Sequence, residues 1–378
     1  MTRTVVTPVS SQDDLDELRA AVRDFLEAKS GEDAVREQME REPRFDPAVW
    51  AQLTGELRLA ALAVPEEYGG DGFGLVELGV VLEEMGRSLL CAPFFSSVVL
   101  AAQALLAAGD PDACARYLPG IAAGTTVAAL AVTEADGSWD PHRITTRAEA
   151  VSPGRWALTG QKCFVLDGTT ADLLLVVART EAGLALFAVE RTAAGVRAES
   201  LRSLDATRAQ ARVTLDAAPA TLVGADGAGE RLLGTVLDVA SACLAAEQAG
   251  GARRVLESSA EYARTRHQFG RPIGSFQAVK HKCADILVQV ELAEATAREA
   301  ARLHTADPAG FRAAAAAAHA CCSRAYLFTA MENIQVHGGI GFTWEHPAHL
   351  HFRRAKSAQL LFGGPAAYHE RLLAALGV

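Results

Sequence analysis

Apolar residues recur at helical spacing through the first third of the chain. After Ser11, which can cap a helix N-terminus, one helical face is formed by Leu15, Leu18, Val22 and Leu26. The same spacing predicts further helices over residues 47–60, 75–88 and 95–108. This first region is therefore predicted to be almost entirely α-helical.

The pattern changes near Thr125, where short apolar, β-prone runs alternate with Gly, Pro and Asp clusters. The runs predict a small antiparallel sheet from strands at residues 127–132, 156–158, 172–178, 185–189 and 211–215. Helical periodicity resumes at Leu232 and persists to the C-terminus. The chain is thus predicted to have an α+β, mainly helical fold with domains at residues 1–124, 125–229 and 230–378.

Composition narrows the class of partner. The 378 residues carry a formal net charge of -10, which argues against a nucleic-acid or anionic-membrane surface. The seven cysteines form no CxxC pair, as expected of free thiols in a reducing compartment. Residues 1–14 lack a signal-peptide pattern, and charges such as Asp238 and Glu247 interrupt the longest apolar stretches. We expect a cytoplasmic protein, without a membrane span, whose partners are small molecules and proteins.

One turn between two predicted helices concentrates groups suited to a phosphate and a flat ring. A helix is expected to end near residues 270–272 and the next to begin around Ser275, which leaves at the turn Arg266, Gln268, Phe269 and Gln277. Arginine pairs with phosphate in a planar fork, and phenylalanine offers a stacking face. In the alternative interpretation, Arg266 caps helix carbonyls and Phe269 belongs to the core.

Three other segments contain candidate binding residues. A predicted strand runs into a loop that holds Thr133, Gly137 and Ser138, and Phe164 lies between two glycine-bounded turns. Near the C-terminus, glycines that can present backbone N–H groups follow a helix end at Gln335, Gly338 and Gly339. No Cys or carboxylate set at ligand spacing accompanies His346, His349 and His351, so we expect no metal site.

Together these segments resemble the acyl-CoA dehydrogenase family over nearly the whole chain and in the same order. The most specific motifs are Arg266-His-Gln-Phe-Gly with Phe276-Gln277, and Gln335-Val-His-Gly-Gly-Ile-Gly; Val132-Thr-Glu, Gly137-Ser138 and Gly160-Gln-Lys-Cys-Phe accompany them. The resemblance implies an N-terminal helical domain, a middle antiparallel β domain and a C-terminal four-helix bundle. In the family, that bundle mediates dimers and tetramers.

The resemblance also implies FAD, bound between the middle domain and the bundle. The residues implied to contact it from the middle domain are Leu130, Val132, Thr133, Ser138, Phe164, Val165 and Leu166. Those implied to reach the FAD of a neighbouring subunit are Arg266, Gln268, Phe269, Gln277, Gln335, Gly338 and Gly339. Ser138 is also implied to lie near the acyl thioester.

The family chemistry needs a carboxylate that this chain lacks at both expected positions. In the family, a Glu removes the α proton of an acyl thioester while the flavin accepts the β hydride. One position holds Phe362, or Gly363 if the alignment slips by one residue, and the other holds Ala240. Ser241 replaces a frequent arginine, and Leu166 replaces a frequent hydroxyl residue. The small side chains at 240 and 241 could widen a substrate cavity.

Glu247 lies two helical turns beyond Ala240, so it is either a displaced base or a residue with an intrahelical or subunit-interface role. Three hypotheses follow for the chain. It is one half of a heteromeric dehydrogenase whose partner supplies the Glu; an autonomous flavin oxidase, hydroxylase or natural-product tailoring enzyme; or a non-catalytic structural subunit. For the first two, the substrate is an acyl-CoA or acyl-carrier-protein thioester from fatty-acid, sterol or secondary metabolism. A flavoprotein is the expected electron acceptor of a dehydrogenase.

Overall fold

A computed structural model describes residues 10–152 and 154–378 of the chain. Most of the stretch considered for a signal peptide, residues 1–14, therefore lies outside the described residues. The chain divides into two compact units, which are described separately. The first comprises Met1–Glu37, Gly74–Leu90 and Ser241–Val378, and the second comprises Gln38–Phe73 and Cys91–Ala240.

Eleven α-helices occur in the described residues. The N-terminal ones are α1 (Gln12–Lys29), α2 (Glu32–Glu40), α3 (Pro47–Ala51), α4 (Leu75–Ser88), α5 (Ala102–Ala108) and α6 (Pro111–Ala122). The C-terminal ones are α7 (Gly229–Thr265), α8 (Gln277–Ala306), α9 (Pro308–His337), α10 (Ala348–Leu360) and α11 (Pro365–Leu376). Helix α7 begins in the second unit and ends in the first.

The helix predictions need three corrections. The segment 47–60 is α3 followed by a π-helical turn that ends at Glu56, because residues 59–63 turn. Residues 95–101 are likewise π-helical and lead into α5. Helices α2 and α6 were not predicted; α2 is short and polar, and α6 contains Pro119 in its interior.

The C-terminal helices of the first unit form a bundle around an aliphatic core. Four helices, α7 to α10, share the buried cluster Ala252, Val255, Ile286, Val290, Tyr326, Ala330 and Ala355. Helix α11 packs against α9. Helix α4 approaches α7 closely, since a Cβ on Gly86 would lie 1.9 Å from the Glu247 carbonyl oxygen. Helices α11 and α4 therefore pack against the four-helix core.

The second unit contains a seven-stranded sheet. Its strands are β1 (Ala128–Ala131), β2 (Arg147–Ser152), β3 (Arg155–Leu166), β4 (Leu173–Arg179), β5 (Leu184–Glu190), β6 (Val196–Ser200) and β7 (Gln210–Val223). Most pairs are antiparallel, but β1 pairs with β4 in parallel, and β2 meets β4 in parallel at one position. The predicted antiparallel sheet therefore also contains two parallel pairings.

Two strands of the sheet were missed and two were predicted too short. Strands β2 and β6 are mostly exposed and carry no clear apolar alternation. Strands β3 and β7 run well beyond the predicted 156–158 and 211–215, because bulges break the alternation along their pairing.

One described helix, α7, is long and apolar enough to cross a membrane by length and composition alone. The apolar window of α7 is 89% buried inside the protein. This burial matches the position of α7 in the bundle core.

Candidate functional site

The turn after α7 is a two-residue β-hairpin. Helix α7 ends at Thr265, and β8 (His267–Gln268) pairs with β9 (Arg271–Pro272). At the tip, Phe269 and Gly270 have φ of 54° and 76°, as a type I′ turn requires. Helix α7 therefore ends at Thr265, before its predicted end near residues 270–272, because residues 267–272 form the hairpin instead. The next helix, α8, begins at Gln277 after a 3-10 turn, close to the predicted Ser275.

The hairpin presents its candidate side chains to solvent. Phe269 is 91% exposed and contacts the ring of Phe276 edge-on at 6.1 Å between centroids. Within the described part of the chain, the exposed Arg266 side chain makes no ion pair and caps no carbonyl. Arg271 instead covers Phe276, with its guanidinium carbon 4.1 Å from the ring centroid. The alternative of a capping arginine and a core phenylalanine was therefore wrong.

The glycine turn after α9 lies beside this hairpin. Gly338 has φ 65° and ψ -142°, which favours glycine, and a Cβ on Gly338 or Gly339 would meet no described atom within 4 Å. The preceding His337 ring stacks on Tyr262 of α7, with centroids 4.3 Å apart. This stack joins two distant motifs into one exposed region, here called the hairpin–turn surface: Arg266, Gln268, Phe269, Gln277, Gln335, Gly338 and Gly339.

In the second unit, a buried ion pair holds the candidate loop after β1. Lys162 is fully buried, and its Nζ donates to the Val132 carbonyl at 2.8 Å and to Glu134 at 3.1 Å. Burial lowers the pKa of Lys162 to about 8, although the Glu134 charge opposes this shift. Burial would raise the pKa of Glu134, but hydrogen bonds from Thr145 and Thr146 and the Lys162 charge lower it to about 2.

The Lys162–Glu134 pair connects two of the sequence motifs, Val132-Thr-Glu and Gly160-Gln-Lys-Cys-Phe. We did not predict it, although both residues lie within the quoted motifs. The Thr133 hydroxyl reinforces the contact by donating to the Cys163 carbonyl at 2.5 Å.

Phe164 leaves the sheet at a bulge. The pairing of β3 with β7 shifts between Lys162 and Val165, and Phe164 has φ 59° and is 42% exposed. The Phe164 ring lies beside the loop after β1. A Cβ on Gly137 of that loop would be 3.4 Å from the nearest atom of the ring. The Ser138 hydroxyl of the same loop accepts a hydrogen bond from the Asp140 amide at 3.2 Å. The remaining candidates of this unit have buried side chains: Leu130, Val132, Thr133, Val165 and Leu166.

Two of the three positions considered for a catalytic base are buried, and the third, Gly363, is partly exposed. Phe362 follows α10 with φ 64° and is 2% exposed, and Ala240 is fully buried in α7. The Ser241 hydroxyl lies 3.4 Å from the Tyr368 hydroxyl, and Tyr368 stacks on His319 with centroids 3.6 Å apart. Burial, assisted by the charge of Arg371, lowers the pKa of His319 to about 3. The Tyr368–His319 stack, which joins α11 to α9, was not predicted.

Glu247 forms a buried ion pair. Its carboxylate accepts from Arg354 Nη1 at 2.7 Å, and the two side chains are only 7% and 4% exposed. Arg354 Nη2 also donates to the Leu90 carbonyl at 3.4 Å. This ion pair links α7 to α10 of the same chain, whereas the structural interpretation of Glu247 expected an intrahelical or subunit-interface role.

Each of the three C-terminal histidines contacts a different residue. His346 packs against His337, His349 packs against Trp344, and His351 Nδ1 lies 2.8 Å from the Tyr326 hydroxyl. In residues 10–152 and 154–378, no three His, Cys, Asp or Glu side chains form a set that could hold a metal.

Comparison with known proteins assigns the family. The acyl-CoA dehydrogenase N-terminal, middle and C-terminal domain profiles match residues 12–125, 129–217 and 227–376. The chain belongs to the acyl-CoA dehydrogenase family. Acyl-CoA dehydrogenase IpdE2 of Mycobacterium tuberculosis is 35% identical over 355 residues, which cover 94% of this chain and 95% of that protein.

Two solved heteromeric structures resemble this acyl-CoA dehydrogenase chain. In the ChsE4–ChsE5 complex from Mycobacterium tuberculosis, a chain matches with TM-score 0.88 and 30% identity over 98% of this chain and 99% of that one. The Tcur3481–Tcur3483 steroid ACAD matches with TM-score 0.87 and 31% identity over 97% and 98%. The predicted family and the predicted mainly helical α+β fold are confirmed. The family's members are oxidoreductases that act on CH–CH groups, and they use a flavin cofactor.

Proposed function

We propose that this acyl-CoA dehydrogenase chain is the base-deficient subunit of a heteromeric enzyme that desaturates an acyl thioester at the α,β position. The observation that carries the proposal is the lack of a usable base: Phe362 and Ala240 occupy the two base positions, and Glu247 is paired with Arg354. A carboxylate must therefore come from a partner subunit. The likeness to chains of the ChsE4–ChsE5 and Tcur3481–Tcur3483 pairs supports a heteromeric assembly.

FAD is the proposed cofactor, and it would supply the acceptor for the substrate hydride. The hairpin–turn surface fits its phosphates, because Arg266 is exposed with no acid partner among the described residues and the Gly338–Gly339 turn is open. The surface is proposed to serve the FAD of a neighbouring subunit. In the middle region, Phe164 is proposed to pack on the flavin ring, and the backbone of residues 130–133 and 165–166 to line it.

The proposed substrate is an acyl-CoA or acyl-carrier-protein thioester near Ser138, Ala240 and Ser241. A flavoprotein is the proposed electron acceptor, and the cytoplasm the proposed location. The three family matches support domain boundaries close to the proposed 1–124, 125–229 and 230–378.

Reconstitution tests the heteromer. The chain is purified alone and after co-expression with each acyl-CoA dehydrogenase encoded beside it, and each preparation is titrated anaerobically with a panel of straight-chain, branched and ring-bearing acyl-CoA thioesters. We expect flavin reduction only in a co-purified complex. Mutation of the partner's glutamate to glutamine should abolish reduction without separating the subunits.

The other two hypotheses give different outcomes in the same titration. An autonomous enzyme of altered chemistry would reduce its flavin without a partner. A structural subunit would be colourless, would not take up FAD, and would leave only the partner's flavin in the complex. Either result would overturn the proposal that this chain binds FAD while a partner subunit supplies the base.

A further inference from the structure

A cavity lies within the first unit, and its lining includes no base position and no residue of the hairpin–turn surface. Its volume is about 320 Å³, at the small end of the range for sites that hold small organic ligands. Helices α1, α2, α4, α7 and α10 and the end of α9 contribute its walls. Nothing in the desaturation chemistry uses this space.

Two arginines of the cavity wall lack acceptors. Arg87 Nη2 pairs with Glu257 at 2.6 Å, but its Nη1 is buried and has no hydrogen-bond partner. Arg254, one turn before Ser258 on α7, makes no ion pair or hydrogen bond through its side chain within the described ranges. The buried Arg87 Nη1 is a binding group for an anion, because leaving this donor unpaired in the interior costs free energy. Arg254 is exposed, so its guanidinium is hydrated and free to bind an anion.

The third arginine of the wall, Arg23, is already satisfied. It binds Glu84 through two hydrogen bonds of 2.9 and 2.7 Å, and Glu84 also accepts from Arg19. The cavity-lining His351 lies near the charges of Arg87 and Arg254. Burial and then the charges of Arg254, Arg354 and Arg87 lower the pKa of His351 to about 3.

The rest of the wall limits the charge and shape of the ligand. Glu27 and Glu32 are exposed lining residues, with Glu32 paired to Arg36 at 2.7 Å, and their negative charge disfavours a dianion such as a phosphate monoester more than it disfavours a monoanion. Four aliphatic side chains also line the cavity, Leu26, Val35, Leu89 and Leu350, and all four are buried. An anion with one charge and a short apolar portion matches both features.

We propose that this cavity binds a small aliphatic monocarboxylate, with its carboxylate on Arg87 and Arg254 and its chain against Leu26, Val35, Leu89 and Leu350. The site is independent of the proposed dehydrogenation and needs no flavin.

Calorimetric titration of the full-length protein with hexanoate tests the proposal, and neutral hexanamide is the matched probe. We expect millimolar or tighter binding of hexanoate and at least about tenfold weaker binding of hexanamide, since a charged hydrogen bond contributes that much. Arg254→Gln should weaken hexanoate binding by about tenfold or more. Arg264→Gln, which removes the same charge from an exposed position of the same helix, should leave it unchanged.

A second variant keeps the charges and fills the space. Ser258→Phe, verified as folded by circular dichroism, should remove hexanoate binding. The proposal is overturned if wild-type protein shows no binding at about 10 mM hexanoate, if hexanamide binds equally well, or if Arg254→Gln binds hexanoate like wild type.

Discussion

The hairpin–turn surface and the base positions lie in the same family fold but differ in exposure. Phe269 on the hairpin–turn surface is 91% exposed, and Arg266 beside it has no acid partner within the described residues. Phe362 at a base position is 2% exposed, and Ala240 at the other is fully buried. Polar groups that remain free at a surface are available to a ligand or a second subunit. The buried carboxylate of Glu247 is instead satisfied within the chain, by Arg354.

This contrast separates cofactor binding from base catalysis. The exposed groups are those proposed to bind FAD, whereas the proposed base positions hold the apolar Phe362 and Ala240. Under the proposed function, mutations in the two regions should therefore have different effects.

The largest effect is expected from Glu247→Gln. The substitution leaves Arg354 buried without its countercharge and should lower the free energy of unfolding by about 4 kcal/mol. Urea unfolding followed by circular dichroism measures the loss. Glu261→Gln, at an exposed position of α7, should change stability by less than about 0.5 kcal/mol. If Glu247→Gln kept full stability and abolished flavin reduction in a reconstituted complex, Glu247 would be a base and the contrast would fail.

Glu134→Gln tests a second ion pair, the one that Glu134 forms with Lys162 in the sheet of the second unit. Losing the partner of the fully buried Lys162 should cost about 3 kcal/mol at neutral pH. Because the pKa of Glu134 is lowered in the folded protein from 4.5 to about 2, its stabilisation is present above pH 4.5 and is lost as pH falls towards 2. The stability difference between wild type and Glu134→Gln should therefore shrink on acidification. A difference that stayed constant with pH would exclude the charged pair as its cause.

Arg266→Gln should act on the cofactor and spare the fold. Removing one charge-assisted contact to a phosphate should weaken FAD binding about tenfold, while the stability of the cofactor-free protein stays within about 0.5 kcal/mol of wild type. Flavin retention after gel filtration and fluorescence titration measure the effect. Arg264→Gln, two residues earlier on α7, is the control. Unchanged FAD affinity in Arg266→Gln would remove this residue from the cofactor site.

Tyr368→Phe is expected to have the smallest effect. It removes only the hydroxyl 3.4 Å from Ser241 and keeps the stack on His319, so the loss should be about 0.5–1 kcal/mol. Thermal unfolding can resolve such a change. A loss above about 3 kcal/mol would mean that this hydroxyl supports more of the bundle than its 3.4 Å contact with Ser241 indicates.

The sequence predicted regular elements and exposed motifs better than it predicted buried contacts. The bundle helices follow from apolar periodicity, and Phe269 and Gly338 were found from their motifs. The bulge that exposes Phe164, the hairpin that ends α7 and the parallel pairing of β1 with β4 depend on contacts between distant segments. The Lys162–Glu134 pair and the Tyr368–His319 stack were missed for the same reason. Spacing along one segment cannot reveal which residue of another segment lies opposite.

The most direct test of the central claim is the flavin absorbance of the isolated protein before and after anaerobic addition of an acyl-CoA that reduces the reconstituted complex. The account predicts a yellow protein whose flavin band is unchanged by the thioester, because the exposed groups bind FAD and no base faces the substrate. Bleaching of the flavin in the isolated protein at the rate of the complex would contradict it.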